Sequence, residues 1–408
     1  MTFSGEQGTA VVKRLCVAIV LLLTTLMLAC GGGSTAVTSG YASRAFVSNA
    51  TGISGVATGE VQIVNTANDF VASNFMTVAA QPSVMAVSSD HTITVVYSQV
   101  NNAVTVITNS SESSTGSLGL PNFTDSLVLR DSIIGYAALR NSNAVAVLNL
   151  SNTSTPTVAS YLPVTLARRL VLSPNRTKLL VFSDNSETVN VIDTATSSLQ
   201  GTITMTGNGS GTNRPAFGVF LNESTAFIMN CGVECGGTAA ATLQVITIPT
   251  SSTGALSLVP GYVSVDAASV GFLNGNNLYV AGTANGTPGQ GFLNVFDVSS
   301  GTPVATAVQH VPIGDGYHTQ MVLGANSKLF IGAMSCSDNC LSIFDSSANS
   351  VTRAPNQGSV TSMAPVSGRG VVYVVEGGAL HEYSTTSNLQ TASIFIPGQA
   401  YSVVLVDQ

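Results

Sequence analysis

The chain has 408 residues, more than one small core can use, so it is either several domains or one large closed repeat. Charged residues make up 8% and aromatics 6%, Trp is missing, and the high hydrophobic content excludes the disorder that low charge accompanies elsewhere. The formal net charge of −7, with no basic stretch carrying interleaved aromatics, argues against nucleic acid as a partner.

Residues 1–29 read as a processing segment. Lys13 and Arg14 precede an apolar run, Leu15 to Leu28, that is shorter than the roughly 20 residues a spanning helix needs. Met27-Leu28-Ala29-Cys30 closes the run and resembles a bacterial lipoprotein signal. Ala29 and Cys30 match that pattern, while Met27 and Leu28 depart from it in the outer two places. The resemblance implies cleavage before Cys30, lipidation of Cys30, and a membrane partner reached through the N-terminal lipid. It places the chain in the bacterial cell envelope, outside the cytoplasm, and at the outer membrane of a Gram-negative cell because Gly31 follows the Cys. The alternative is an ordinary secretory signal with an incidental Cys. Residues 30–41, rich in Gly, Ser and Thr, read as a flexible tether, and 42–408 as the folded body.

Within that body one pattern recurs. VQIVNT begins at residue 61, VTVITN at 104, VAVLNL at 145, VNVIDT at 189, LQVITI at 243, LNVFDV at 293, LSIFDS at 341 and the degenerate LHEYST at 380. The fifth place is Asn, Thr, Asp or Ser, and it recurs at intervals of 39 to 54 residues, the period of a propeller or solenoid. Each run follows another short apolar run, such as RAFVSN or LLVFSD, and from the second unit onward a third precedes that. Asp, Asn, Ser, Pro and Gly between the runs supply the turns of hairpins. The first unit lacks a first strand and the chain ends on a lone one, Tyr401–Val406. The expected fold is therefore all-β, a β-propeller of eight four-stranded blades, with the last strand joining the N-terminal blade and abolishing free edges. Seven blades is the alternative, since the last unit is the weakest.

The stretch LVLSPNRTKLLVFSDNSETVNVIDTATSSLQGTITM, residues 170–205, resembles the YVTN-type β-propeller repeat of bacterial surface and periplasmic proteins. The resemblance spans residues 42–408, is sharp only in units four, six and seven, and includes lactonase-like and quinoprotein-like propellers among its relatives. It implies the fold; enzymes and binders alike are built on it.

Beyond Cys16 and Cys30, four cysteines form two C-x3-C pairs, Cys231/Cys235 and Cys336/Cys340, at the same place in units five and seven. Outside the cytoplasm such pairs suggest disulfides, and a four-Cys metal site is the sharper alternative. No His, Asp and Glu cluster has ligand spacing, so no metal, cofactor or catalytic set is assigned. Asp193, Asp297 and Asp345 share one column and read as turn residues.

Aligning the first strands puts Ser83, Asp125, Arg168, Ala216, Ala268, Thr319, Thr361 and Tyr401 at the mouth of the central channel, with Arg169 and His318 beside them. Asp125, Arg168, Arg169, His318 and Tyr401 are the candidate ligand-binding residues, since an Arg pair near the axis suits a carboxylate or phosphate. An Asp125–Arg168 ion pair is the competing expectation. The functional expectation is a lipid-anchored envelope propeller that binds an unknown protein or small molecule without catalysis. The alternative is an envelope enzyme of lactonase-like or quinoprotein-like type, with its site at the channel mouth.

Overall fold

The second and third runs of each repeat carry apolar residues on both sides of the strand, which demands cover on both faces of the sheet they build. The computed structural model describes residues 38–49, 58–205, 211–284, 290–337 and 339–407, and it supplies that cover. Ile93–Ser98 and Lys178–Ser183, both second strands, are buried along their whole length. Outermost strands such as Ser113–Gly119 and Thr157–Pro163 are mostly open to solvent. Innermost strands such as Ala167–Leu172 and Tyr317–Leu323 mix buried and half-buried positions, because one of their edges borders the channel.

The described strands form eight antiparallel sheets; in seven of them the strands run from inside to outside in chain order, and in the sheet that holds Arg44–Asn49 the innermost strand is the last of the chain. We number them as blades one to eight from the sheet that holds Arg44–Asn49. Eight apolar clusters among the described residues each join two neighbouring blades, and together they run once round the ring. One cluster packs blades two and three through Tyr97, Leu118, Leu129 and Leu148; another packs blades eight and one through Val47, Tyr373, Ile394 and Val403. The remaining six fill the other seams. A blade cannot bury both faces alone, so the repeat is stable only as a ring.

The ring closes as the sequence predicts. Ala400–Leu405 is the innermost strand of blade one and pairs antiparallel with Arg44–Asn49, Phe46 opposite Val404 and Val47 opposite Val403. Arg44 fastens this seam. Its guanidinium donates to both carboxylate oxygens of Asp407 at 2.6 and 2.8 Å, to Glu112 at 2.9 Å and to the carbonyl of Asn109 at 2.8 Å. The last two contacts tie the first and last strands to blade two.

Two blades depart from the simple meander. In blades five and six the outer strand is split, with Ser257–Leu258 and Val263–Ser264 both pairing with Thr242–Thr247, and Val304–Ala305 and Val311–Ile313 both pairing with Gly291–Asp297. Pro260 interrupts the first of these outer strands, since it has no N–H to give the ladder. The extra residues account for the longer repeat intervals there. The aspartate column behaves as expected of turns: Asp193 accepts from the amides of Ala195 and Thr196, Asp297 from Ser299, and Asp345 from Ser347 and Ala348. Lys178 and Lys328 add ion pairs to Asp193 and Asp345.

The expected signal segment, Cys30 and most of the expected tether lie outside the described residues. Among the described residues no helix is long and apolar enough to cross a membrane.

Candidate functional site

Innermost strands all start at one face of the ring, so their first few residues surround the channel mouth. A cavity of about 490 Å³ occupies the channel, within the size range of small-molecule sites. Of the eight residues that strand alignment places at the mouth, Asp125, Arg168, Ala216, Thr319, Thr361 and Tyr401 line it. Ser83 and Ala268 are buried in the wall instead.

The charged groups divide unequally. Arg168, exposed at the mouth, donates to Asp184 at 2.9 Å and does not form the expected ion pair with Asp125. Asp184 also accepts from Arg140 at 2.8 Å. Asp125 has no hydrogen-bond partner among the described residues. Burial pushes its carboxyl above the ordinary range, against the pull of Arg168, Arg140 and Arg169. Arg169 lies deeper and reaches across the channel, its guanidinium 5.0 Å from the centre of the Phe217 ring. It makes only two long bonds of 3.4 Å, to the carbonyls of Ser269 and Thr319. No carboxylate stands within ion-pair distance of it among the described residues. Burial lowers its affinity for a proton, and neighbouring Arg168 adds to that effect. Three guanidinium groups thus stand beside two carboxylates, leaving one positive charge over; Arg140 and Arg168 are open to solvent and Arg169 lies inside the cavity.

Tyr401 and Tyr317 complete the mouth. Burial raises the Tyr401 phenol, and the negative charge of Asp125 raises it further. The Tyr317 ring stands 5.7 Å under the Arg168 guanidinium, a cation–π contact that orients it. His318 does not join the group. Side chains alternate along a strand, so where Tyr317 and Thr319 line the cavity, His318 between them is turned into the protein interior and is buried. Burial pushes its imidazole down to about 4, although the Gly314 backbone and Asp315 oppose the shift.

Both cysteine pairs are disulfides, with Cα atoms 5.7 Å apart in Cys231–Cys235 and 5.5 Å in Cys336–Cys340. Although they belong to non-adjacent blades, both loops reach one small cavity of about 260 Å³ on the same face. Glu234 enters it from the first loop and Ser335 and Ser337 from the second, with Thr283 and Asp315 between; Tyr317 walls off both cavities. The Glu234 carboxyl packs against Gly282, where a side-chain carbon would lie 2.6 Å from Oε2. Both its oxygens are closed to solvent without a hydrogen-bond partner among the described residues, and burial pushes the group up to about 8. The Thr283 amide and Ser269 hydroxyl pull weakly the other way. Among the described residues no three His, Cys, Asp or Glu side chains gather as metal ligands do.

Sequence reasoning missed Arg140, Asp184 and Tyr317. Arg140 and Asp184 follow second strands, on the face where first strands begin, so the turn register carried a signal for them. Tyr317 is two residues from Thr319, and strand alternation puts it on the same side.

These features define a class: an eight-bladed propeller latched by its own last strand, with an electropositive cavity in its channel. No protein-family model and no curated protein matches the chain. Among solved structures, it is similar to apo AztD from Citrobacter koseri, with 12% identity, a TM-score of 0.58 and coverage of 89% of this chain and 97% of that one. It is also similar to the periplasmic gluconolactonase PpgL of Pseudomonas aeruginosa, with 13% identity, a TM-score of 0.53, and coverage of 89% and 98%. A putative 6-phosphogluconolactonase from Bacteroides fragilis matches with 12% identity, a TM-score of 0.52, and coverage of 91% and 99%. The chain thus has the fold of lactonase-like and AztD-type propellers.

Proposed function

We propose that this chain is a lipid-anchored propeller of the bacterial cell envelope that binds a small anionic ligand in its channel and does not transform it. The observation that carries the reading is Arg169: a guanidinium held inside the cavity with no carboxylate within ion-pair distance among the described residues. Such a charge is costly to keep unpaired and is offset when an anion completes it. The two disulfides fit an oxidising compartment, and the resemblance of Met27–Cys30 to a lipoprotein signal supplies the anchor. The YVTN-type resemblance of residues 170–205 accords with a place in the periplasm or at the surface. Calorimetric titration of the full-length chain with small carboxylates tests the binding. Arg169→Met abolishes the heat if the reading holds, and unchanged affinity in that variant refutes it. Cys30→Ala moves the protein from the membrane to the soluble fraction; retention on the membrane refutes the anchor.

One observation favours an enzymatic reading, the lactonase-like alternative: Asp125 is a carboxyl raised by its surroundings at the mouth of a cation-lined cavity, as a general acid would be. Lactone hydrolysis by the purified chain, lost in Asp125→Asn, decides for it; its absence across a lactone panel decides against it.

A further inference from the structure

The outer strand of blade one, Phe70–Ala79, is the longest strand among the described residues and stands at the free edge of its sheet. Ala72, Met76 and Val78 pack into the seam with blade two, so side-chain alternation turns Phe75 away from that seam. Phe75 is 48% exposed, and Phe70, at the head of the strand, 66%. On neighbouring blade eight, Ile394 and Ile396 pack into the seam with blade one, and Phe395 between them is 79% exposed. These are the three exposed Phe side chains among the described residues, and all of them stand on the outer margin of two adjoining blades.

The strands of this margin are also uncharged. From Phe70 to Ser89, and from Tyr383 to Val406, no Asp, Glu, Lys, Arg or His occurs. Single exposed apolar side chains are ordinary, whereas a group of aromatics without charges among them marks a contact surface. The start of the folded body lies at the same place. Ser39 donates its hydroxyl to Glu112 at 2.5 Å and its amide to the same carboxylate, which also accepts from Asn74, the residue next to Phe75, at 3.4 Å. Cys30 precedes Ser39 by nine residues, a reach of at most about 32 Å.

We infer that the outer margin of blades eight and one, through Phe70, Phe75 and Phe395, rests in the surface of the lipid bilayer, an assignment that builds on the lipid anchor proposed above and adds which part of the ring meets the lipid. A lipid on Cys30 keeps the bilayer within that reach of Ser39, and Ser39 is fastened beside Phe75. Phe rings at the boundary between headgroups and acyl chains lose apolar area to water, and Ser73, Asn74 and Thr77 bring no charge to desolvate there. Edge-to-edge pairing with a second copy is disfavoured, because the register of this strand slips between Gln62 and Val64 of its neighbour, and a bulged edge does not lie flat. Contact along the outside of the ring leaves the channel mouth open to solution.

The chain has no Trp, so single Trp variants report one place at a time. The lipidated chain, purified from membranes, is reconstituted in vesicles of phosphatidylglycerol and phosphatidylcholine brominated on its acyl chains, and circular dichroism checks that each variant is folded. Phe70→Trp, Phe75→Trp and Phe395→Trp are expected to be quenched and to shift their emission to the blue. Leu199→Trp and Val304→Trp, exposed on the outer strands of blades four and six, are expected to show neither change. Equal quenching at all five places, or none at the three Phe positions, in a chain that floats with the vesicles overturns the contact surface and leaves the anchor standing. A dimer that forms with rising concentration in detergent and is lost in Phe75→Ser, with the three reporters unquenched, assigns the margin to a second copy and overturns the lipid contact. A chain that does not float with the vesicles overturns both the anchor and the contact.

Discussion

Arg44 holds two carboxylates at the seam of the ring, and their burial predicts that they matter very differently. The Arg44 side chain is 11% exposed, Glu112 only 1% and Asp407 28%. Burial would raise the Glu112 carboxyl, yet the hydroxyl and amide of Ser39 and the Arg44 guanidinium outweigh it and keep the group ionised. Arg44→Met therefore strands a buried negative charge and is expected to cost about 3–5 kcal/mol. Asp407→Asn loses a pair open to water on one side and costs about 1 kcal/mol or less. The double variant Arg44→Met/Glu112→Leu removes the stranded charge along with its partner, so it should be more stable than Arg44→Met alone, a coupling that a double-mutant cycle reads directly. Urea unfolding followed by far-ultraviolet circular dichroism, with the denaturant slope unchanged across variants, supplies the energies. Equal costs for Arg44→Met and Asp407→Asn, or a double variant weaker than Arg44→Met, would refute the assignment of the latch to Glu112.

Four further outcomes follow from titratable and charged groups inside the fold. His318 has its proton affinity depressed to about 4 from an ordinary 6.5, so the unfolded chain binds the extra proton first; its contribution is whole above about pH 6.5 and falls as pH drops toward 4. Wild type should lose about 2 kcal/mol more than His318→Gln between about pH 7 and about pH 4.5, as measured by urea midpoints. Glu376 and Glu234 run the other way: burial lifts them from 4.5 to about 7 and about 8, so stability falls as pH rises from about 4.5 and levels off above those raised values. Glu376→Gln keeps an oxygen for the Tyr383 hydroxyl, which donates at 2.5 Å, and should be about 3 kcal/mol more stable than wild type at about pH 8; the gain of Glu234→Gln also begins near pH 4.5 and levels off about one pH unit higher. Arg169→Met removes a half-buried charge with no ion-pair partner among the described residues, so its unfolding midpoint should rise while anion binding disappears, the opposite of what a structural ion-pair residue would show.

The architecture was legible because the third strand of every repeat keeps one register, VNVIDT or LNVFDV, and a missing first strand at one end matched a spare one at the other. Alignment of first strands placed Asp125, Arg168, Arg169 and Tyr401 at the channel mouth, and all four line its cavity. His318 escaped because adjacent residues on a strand face opposite ways, and a one-residue offset in a bulged strand, here between His318 and Gln320, decides which of them meets the channel. The partner of Arg168 escaped for another reason. Asp125 and Asp184 both border it, from neighbouring turns, and only side-chain geometry selects Asp184. The shared cavity of the two disulfide loops depends on how far each loop leans over blade six, which no local pattern encodes.

The pairing of Ala400–Leu405 with Arg44–Asn49 makes the place where the chain starts and stops around the ring a matter of convenience. Joining Asp407 to residue 42 through a short Gly-rich link and cutting at the exposed turn near Ser252 would move the noncovalent seam from blade one to blade five while keeping every strand pairing. Such a circular permutant would begin and end in blade five, half-way round the ring from the natural seam, with the lining of the channel unchanged.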